Sequence, residues 1–221
     1  KLNTYYKNQL VTICADKYKV REYITACGCE EILNELISVW DSVEEIDWNS
    51  LPEKFVIKCN HGCGYNILCD NKSNLDVENA KKKLKKWMSE DQWKFYAEIN
   101  YKYIERKIIC EKYIETADGS LPMDYKVYCF NGVPECVMVC AGREKGHPKY
   151  YYYDSKWNML PYSKDALEAP EGFSIPKPLG IDKLFDYARV LSKPFPFVRA
   201  DFYLEEERVI FGELTFTPGG G

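Results

Sequence analysis

The sequence predicts an α+β fold in which antiparallel hairpins are covered by helices. Three observations carry that prediction. Short apolar runs recur in pairs separated by turn residues, and Asn131-Gly132 is the clearest hairpin signal among them. Two stretches, Asp76 to Glu90 and Ile181 to Leu191, space their apolar residues at the helical period instead. No internal repeat or low-complexity tract interrupts the 221 residues.

Taken in order, Asp16 can cap a helix running to about Ala26, with Tyr18, Val20, Tyr23 and Ile24 as its stripe and Gly28 as its stop. A second helix from about Glu30 to Val39 places Ile32, Leu33, Leu36 and Ile37 on one face. Leu51-Pro52 ends this helical and irregular segment, residues 1–53. Phe55 to Cys59 and Tyr65 to Cys69 read as strands joined by Asn60-His61-Gly62-Cys63-Gly64. The helix from Asp76 to Glu90 turns Val77, Ala80, Leu84, Trp87 and Met88 inward, and the lysines between Lys81 and Lys86 read as its solvated face.

Ile108 to Ile114 is the next strand, followed by a turn through Asp118-Gly119-Ser120. Asp124 to Phe130 and Glu135 to Cys140 form a hairpin through Asn131-Gly132. Tyr150 to Tyr153 reads as a strand whose alternate rings are buried. A Pro-rich loop from Pro161 to Pro178 leads to the helix from Ile181 to Leu191. Phe197 to Leu204 and Arg208 to Thr215 close the chain as a strand pair.

Composition excludes several classes of function. With 30 Lys+Arg against 34 Asp+Glu the formal charge is −4, which is not the balance of a nucleic-acid binder. Hydrophobic residues at 46% and aromatic residues at 15% exclude a disordered chain. The longest stretches without charge, such as Val137 to Gly142, fall far short of a transmembrane helix. Ten cysteines include Cys27-x-Cys29, Cys59-x3-Cys63 and Cys136-x3-Cys140 but no CxxC pair, which argues against structural zinc. Most sit in apolar runs, so the expectation is buried reduced thiols in a cytoplasmic protein. Lys1-Leu2-Asn3-Thr4-Tyr5 does not open a signal peptide, and the missing initiator Met and terminal Gly219-Gly220-Gly221 predict a portion of a longer chain.

Charged groups interrupt the strands at Lys58, at Glu111, at Asp124/Lys126 and at Arg199/Asp201/Glu213. Burying a charge is unfavourable unless it is paired or bound to a ligand, so these positions are the candidate site. Counting back from a turn near Glu206 brings Asp201 and Glu213 to the same side of adjacent strands. Either they share a hard cation such as Mg2+, or Arg199 pairs with one and the other faces solvent. Lys58-Cys-Asn-His-Gly-Cys-Gly64 ends a strand with a lysine and follows it with glycines whose amides can converge on an anion, although a plain hairpin turn explains the glycines equally well.

The motifs Leu51-Pro-Glu-Lys-Phe-Val-Ile-Lys-Cys-Asn-His-Gly-Cys-Gly64, Glu111-Lys-Tyr-Ile114, Asp124-Tyr-Lys-Val-Tyr-Cys-Phe-Asn-Gly132, Phe195-Pro-Phe-Val-Arg-Ala-Asp-Phe-Tyr203 and Gly212-Glu-Leu-Thr-Phe-Thr-Pro-Gly-Gly220 occur in the order seen in ATP-grasp enzymes. From about Asp16 onward the chain most resembles the TupA-like branch, named for teichuronopeptide synthesis in bacterial surface polysaccharide. The resemblance implies an ATP-grasp fold, two α+β lobes holding nucleotide between antiparallel sheets after the N-terminal segment, with lobes at residues 54–110 and 111–221. It implies ATP and Mg2+ as cofactors and a carboxylate–amine ligase forming an amide through an acyl phosphate. The partners would be a small-molecule or glycan-linked carboxylate and an amino acid or other amine.

By the same resemblance Lys58 contacts phosphates, and His61, Gly62 and Gly64 belong to a lid over them, where His61 either contacts phosphate or substrate, stabilises the turn or faces solvent. Glu111, Lys112, Tyr113 and Ile114 form the linker at the adenine edge, while Lys126, Arg143 and Arg199 face the reacting phosphates. Asp201 and Glu213 hold Mg2+, with Thr215 where the family usually has Asn. Alternatives are an ATP-dependent kinase of a sugar or polysaccharide precursor, and a glycosyltransferase-associated or degenerate nucleotide-binding protein.

Overall fold

The computed structural model describes residues 8–96, 98–116, 119–142 and 146–218. They form two compact units. Unit 1 takes the chain up to Tyr23, Asn34–Tyr113 and the residues from Thr217; unit 2 takes Ile24–Leu33 and Ile114–Phe216. Among the described residues no helix is long and apolar enough to cross a membrane.

Helices α1 (Gln9–Ala15) and α2 (Val20–Ala26) come first. Asp16 does not open a helix running to Ala26; it ends α1. Its carboxylate accepts from the Tyr18 and Lys19 amides at 2.8 and 3.2 Å, which turns the chain before α2 begins.

The sheet of unit 1 has four antiparallel strands, β1 (Leu36–Trp40), β2 (Phe55–Cys59), β3 (Asn66–Cys69) and β4 (Ile108–Lys112), in the order β1-β4-β2-β3. The expected helix from Glu30 to Val39 is not there. Glu30–Ile32 is a single 3-10 turn, and the following residues become β1. Ile37, Val39 and Trp40 suit a pleated strand, and β4, far along the chain, supplies the backbone partners. Helix α3 (Val77–Ser89) is capped by the Asp76 carboxylate on the Asn79 amide at 2.9 Å, as its sequence predicts. It buries Leu84 in a core with Phe55, Ile57, Leu51 and Cys110, and its lysine face is largely exposed. The short α4 (Trp93–Tyr96) follows.

Unit 2 is built on β5 (Asp124–Phe130), β6 (Val133–Ala141), β7 (Lys149–Tyr153), β8 (Met159–Leu160), β9 (Phe197–Glu205) and β10 (Arg208–Thr215). These six strands run antiparallel in the order β10-β9-β5-β6-β7-β8. Asn131 and Gly132, with φ of 50° and 78°, make the tight β5–β6 turn that the sequence announces. Tyr151 and Tyr153 are buried, as their alternation predicts. The expected Pro-rich loop also contains the one-turn helix α5 (Lys164–Leu167).

Helix α6 (Ile181–Ser192) covers one face of this sheet, packing on β9, β5 and β6. Val127, Cys129, Val198 and Ala200 are buried there, and the Cys129 thiol lies 3.9 Å from the Ala188 carbonyl oxygen on α6. Strand alternation sends their neighbours Lys126, Tyr128, Arg199 and Asp201 to the opposite face. That face carries the charges singled out by sequence.

Candidate functional site

In unit 1 the site is the end of β2 and the loop after it. Lys58 and Glu111 are diagonal neighbours on paired strands, and Lys58 Nζ lies 2.7 Å from Glu111 Oε2. Arg21 approaches the other oxygen, with Nη1 3.4 Å from Oε1, while its Nη2 donates to the Asn34 carbonyl at 2.8 Å. Two cations thus hold one carboxylate in place. The Lys112 amide donates to the Glu35 carbonyl at 3.0 Å, and its own carbonyl accepts from Asn34 Nδ2 at 2.7 Å. Tyr113 and Ile114 lie past the last ladder residue of β4.

The loop from Asn60 to Gly64 is anchored from beneath. Asn60 is fully buried; its Nδ2 donates to Asp16 Oδ1 and to the Glu105 carbonyl, both at 2.9 Å, and its Oδ1 accepts from the Lys107 amide at 2.8 Å. Burial pushes the Asp16 carboxyl up, and the Tyr18 amide and Asn60 pull it back. Lys17 Nζ donates to the Gly62 carbonyl at 2.8 Å. Gln92 clamps Cys63, donating to its carbonyl at 2.6 Å and accepting from its amide. Gly62 must lack a side chain, since a Cβ would meet Gln92 and the Tyr65 ring. Gly64 turns the chain with a left-handed φ of 73°.

Of the readings open for His61, its placement matches the turn-stabilising one. It is 2% exposed, with Nε2 3.1 Å from the Trp87 carbonyl oxygen and its ring tilted against Tyr65. Burial pushes its pKa down to about 4, with help from Arg106 and against the pull of the Trp87 carbonyl. A neutral imidazole packed under α3 is an anchor of the loop base, not a group facing solvent from a lid.

In unit 2 five charged side chains gather on the face away from α6. Glu213 stands directly opposite Asp201, because the bulge at Gly212 shifts the β9–β10 register by one residue. A Cβ on Gly212 would lie 2.9 Å from the Asp201 carbonyl oxygen, so only glycine allows that approach. Arg199 grips Asp201 with Nε to Oδ1 and Nη2 to Oδ2, each at 2.7 Å. Lys126 Nζ lies 2.8 Å from Asp201 Oδ2 and 2.7 Å from Asp124 Oδ2.

Burial pulls the Lys126 ammonium down, but Asp201 and Asp124 outweigh it and hold it above the ordinary lysine range. Burial pushes the Asp201 carboxyl up while Lys126 and Arg199 pull it down. Arg199 Nη2 is bracketed by Asp201 Oδ2 at 2.7 Å, Thr215 Oγ1 at 3.1 Å and Glu213 Oε1 at 3.8 Å. Three oxygens from three residues therefore converge on one positive atom. Among the described residues no group of three or more His, Cys, Asp or Glu side chains is placed to hold a metal ion.

Of the two readings of Asp201 and Glu213, the structure shows the Arg199 pairing directly. Arg143 lies outside the described residues. Sequence reasoning misses Arg21, Asn60 and Gln92. Their polar side chains sit in segments whose spacing gives no hint of the partners, which come from distant parts of unit 1.

The family model described as TupA-like ATP-grasp matches residues 1–221. Among curated proteins none matches. The chain is similar in structure to D-alanine–D-alanine ligase from Bacillus anthracis, at 14% identity and a TM-score of 0.51 over 96% of this chain and 60% of that one. N5-carboxyaminoimidazole synthase from Aspergillus clavatus aligns at 14% identity and a TM-score of 0.54, over 93% and 45%. L-amino acid ligase from Bacillus licheniformis aligns at 14% and 0.51, over 94% and 44%. These likenesses show the ATP-grasp fold, and the chain spans 44% to 60% of the length of these three structures.

Proposed function

Because the chain belongs to the TupA-like ATP-grasp family, we propose that it is an ATP- and Mg2+-dependent ligase that joins a carboxylate to an amine. The observation that carries this reading is the convergence of Asp201, Glu213 and Thr215 oxygens on one cationic position beside Lys126. The structure from Aspergillus clavatus is a complex with ADP and 5-aminoimidazole ribonucleotide, which supports a nucleotide for this fold. The setting we assign is assembly of bacterial surface polysaccharide, on the resemblance to the teichuronopeptide branch. A cytoplasmic site of action fits ATP supply and ten unbridged cysteines.

The chemistry needs positioning and charge neutralisation more than acid–base groups. A carboxylate oxygen attacks the γ-phosphorus, the bond to the β–γ bridging oxygen breaks, and ADP leaves. The amine nitrogen then attacks the acyl carbon, the C–O bond to phosphate breaks, and phosphate departs with a proton as the amide forms. Asp201, Glu213 and Thr215 would hold Mg2+, whose part is to neutralise phosphate charge. Arg199 offers a planar fork to phosphate or carboxylate oxygens, and Lys126 and Lys58 supply point charges.

The test is the melting temperature of the chain with ADP, with and without Mg2+. Near a hundredfold excess over Kd a native-state ligand adds about 2.7 kcal/mol, or roughly 5–10 °C. Stabilisation should require Mg2+ and be lost in Glu213→Gln and Lys58→Ala. Given a carboxylate and an amine, turnover should release free phosphate. Absence of a Mg2+-dependent shift, or full turnover in either variant, overturns the reading; ADP without free phosphate makes the protein a kinase.

A further inference from the structure

Unit 2 contains a cavity of about 390 Å³ walled by Tyr128, Phe130, Tyr152 and Tyr162, with Leu160 and Glu135. It opens on the same sheet face as the charged cluster. Tyr128 follows Lys126 by two residues on β5 and is the register partner of Arg199 on β9. At about 3.3 Å of rise per strand residue, Tyr128 stands roughly 7 Å further along β5 than Lys126. Along β5 the chain passes Asp124, then the charge at Lys126, then the cavity at Tyr128 and Phe130.

The lining itself is aromatic and anionic, with Arg199, the register partner of Tyr128, acting on Tyr152 from beside it. Among the described residues Glu135 is its one charged member, and no Lys, Arg or His lines it. The ring faces add the negative pole of the aromatic quadrupole. Burial, with Tyr128 alongside, pushes the Tyr152 phenol up, so it stays a neutral ring. The rings meet at angles, Tyr128 on Tyr152 at 5.9 Å and 43°, Tyr152 on Tyr162 at 6.0 Å and 62°. Walls set as corners suit a compact cationic head better than a flat ring, which wants parallel faces. The volume exceeds an ammonium group, leaving room for the carbon body that carries it.

We propose that this aromatic cavity is the subsite for the amine substrate, held as its ammonium by the Tyr128, Phe130, Tyr152 and Tyr162 faces and by Glu135, an assignment that rests on the ligase reading. The ammonium is the recognised form. It gives one proton to solvent before the nitrogen attacks, and the second leaves with phosphate.

The experiment titrates the full chain with three probes of one shape, 3-methylbutylamine, 3-methylbutanol and 3-methylbutanoate, following tyrosine ring signals by NMR, and measures ADP affinity on the same samples. The amine should bind roughly tenfold more tightly than the alcohol, and the carboxylate more weakly than either. Glu135→Gln should remove most of that preference and Tyr152→Leu should weaken the amine about fivefold, both with unchanged ADP affinity. Equal affinity for amine and alcohol, preference for the carboxylate, no binding of the amine, or an unchanged preference in Glu135→Gln overturns the assignment. Loss of ADP binding with amine selectivity intact sinks the nucleotide reading alone and leaves the cationic subsite standing.

Discussion

Asn60→Ala is expected to destabilise unit 1 by about 3–5 kcal/mol, and the figure follows from what the side chain does. It is fully buried and makes three hydrogen bonds, two of them with the Glu105 carbonyl and the Lys107 amide and the third with the Asp16 carboxylate. Truncation leaves the buried Asp16 carboxylate and two part-buried backbone groups short of a partner. Each neutral bond lost costs about 1 kcal/mol and the one to a charged acceptor about 1.5–3 kcal/mol. At roughly 2–4 °C per kcal/mol for a chain of this size, the melting temperature should fall by about 10 °C. The assay is urea denaturation followed by circular dichroism, with Asn74→Ala, an exposed position, as the control. A loss in Asn60→Ala below about 1 kcal/mol would refute the claim that this side chain fastens the loop base.

Two further predictions follow from the same geometry. The His61 imidazole has its pKa pushed down to about 4 in the fold against 6.5 when free, so it contributes stability that is fully present above pH 6.5 and is lost as pH falls toward 4. The loss should be roughly 2–3 kcal/mol, should show as a falling urea midpoint between pH 7.5 and pH 4, and should flatten in His61→Gln; an equally steep profile in the variant would contradict it. Gly212→Ala drives a Cβ to 2.9 Å from the Asp201 carbonyl oxygen, and should weaken Mg2+-dependent ADP binding while costing about 1–3 kcal/mol of stability. Calorimetric titration showing wild-type affinity would mean that the bulge does not set the Asp201–Glu213 pairing.

Local signals carried the reading of sequence furthest where they were self-sufficient. Asn131-Gly132 names its own turn, Asp76 caps α3, and the count from Glu206 brings Asp201 and Glu213 to one side of adjacent strands, although it takes the bulge at Gly212 to set them face to face. Leu36 to Trp40 defeats the same reasoning. All five residues are half-buried, so no period of two shows, while Ile32, Leu33, Leu36 and Ile37 happen to fall at helical spacing. Its strand state is decided by β4, which a local window does not contain. Charges within strands mark Lys58, Glu111 and the Arg199–Asp201 pair as candidates, yet the Glu111 partner Arg21 is fixed by packing. For His61 the neighbouring glycines point outward to a lid, whereas burial under α3 is a tertiary fact.

The charge balance of the unit 2 cluster narrows its purpose. Removing Asp201 and Lys126 from water costs several kcal/mol per ion, and apolar residues on the same sheet face would contribute more to stability. A cluster kept for stability alone would close its own charge. Here Asp124 pairs with Lys126 and Asp201 with Arg199, and Glu213 is a third carboxylate, 3.8 Å from Arg199 and only partly buried. Glu213 lies on the β10 side, where Thr215 adds an uncharged oxygen. Lys126 and Arg199 line the adjoining strands β5 and β9. On the proposed reading a hard cation would settle beside Glu213 and Thr215, and an anion beside Lys126 and Arg199. A phosphate chain carrying its own divalent ion would then satisfy both halves of the cluster at once, which is why the proposal joins the nucleotide and Mg2+ in one site.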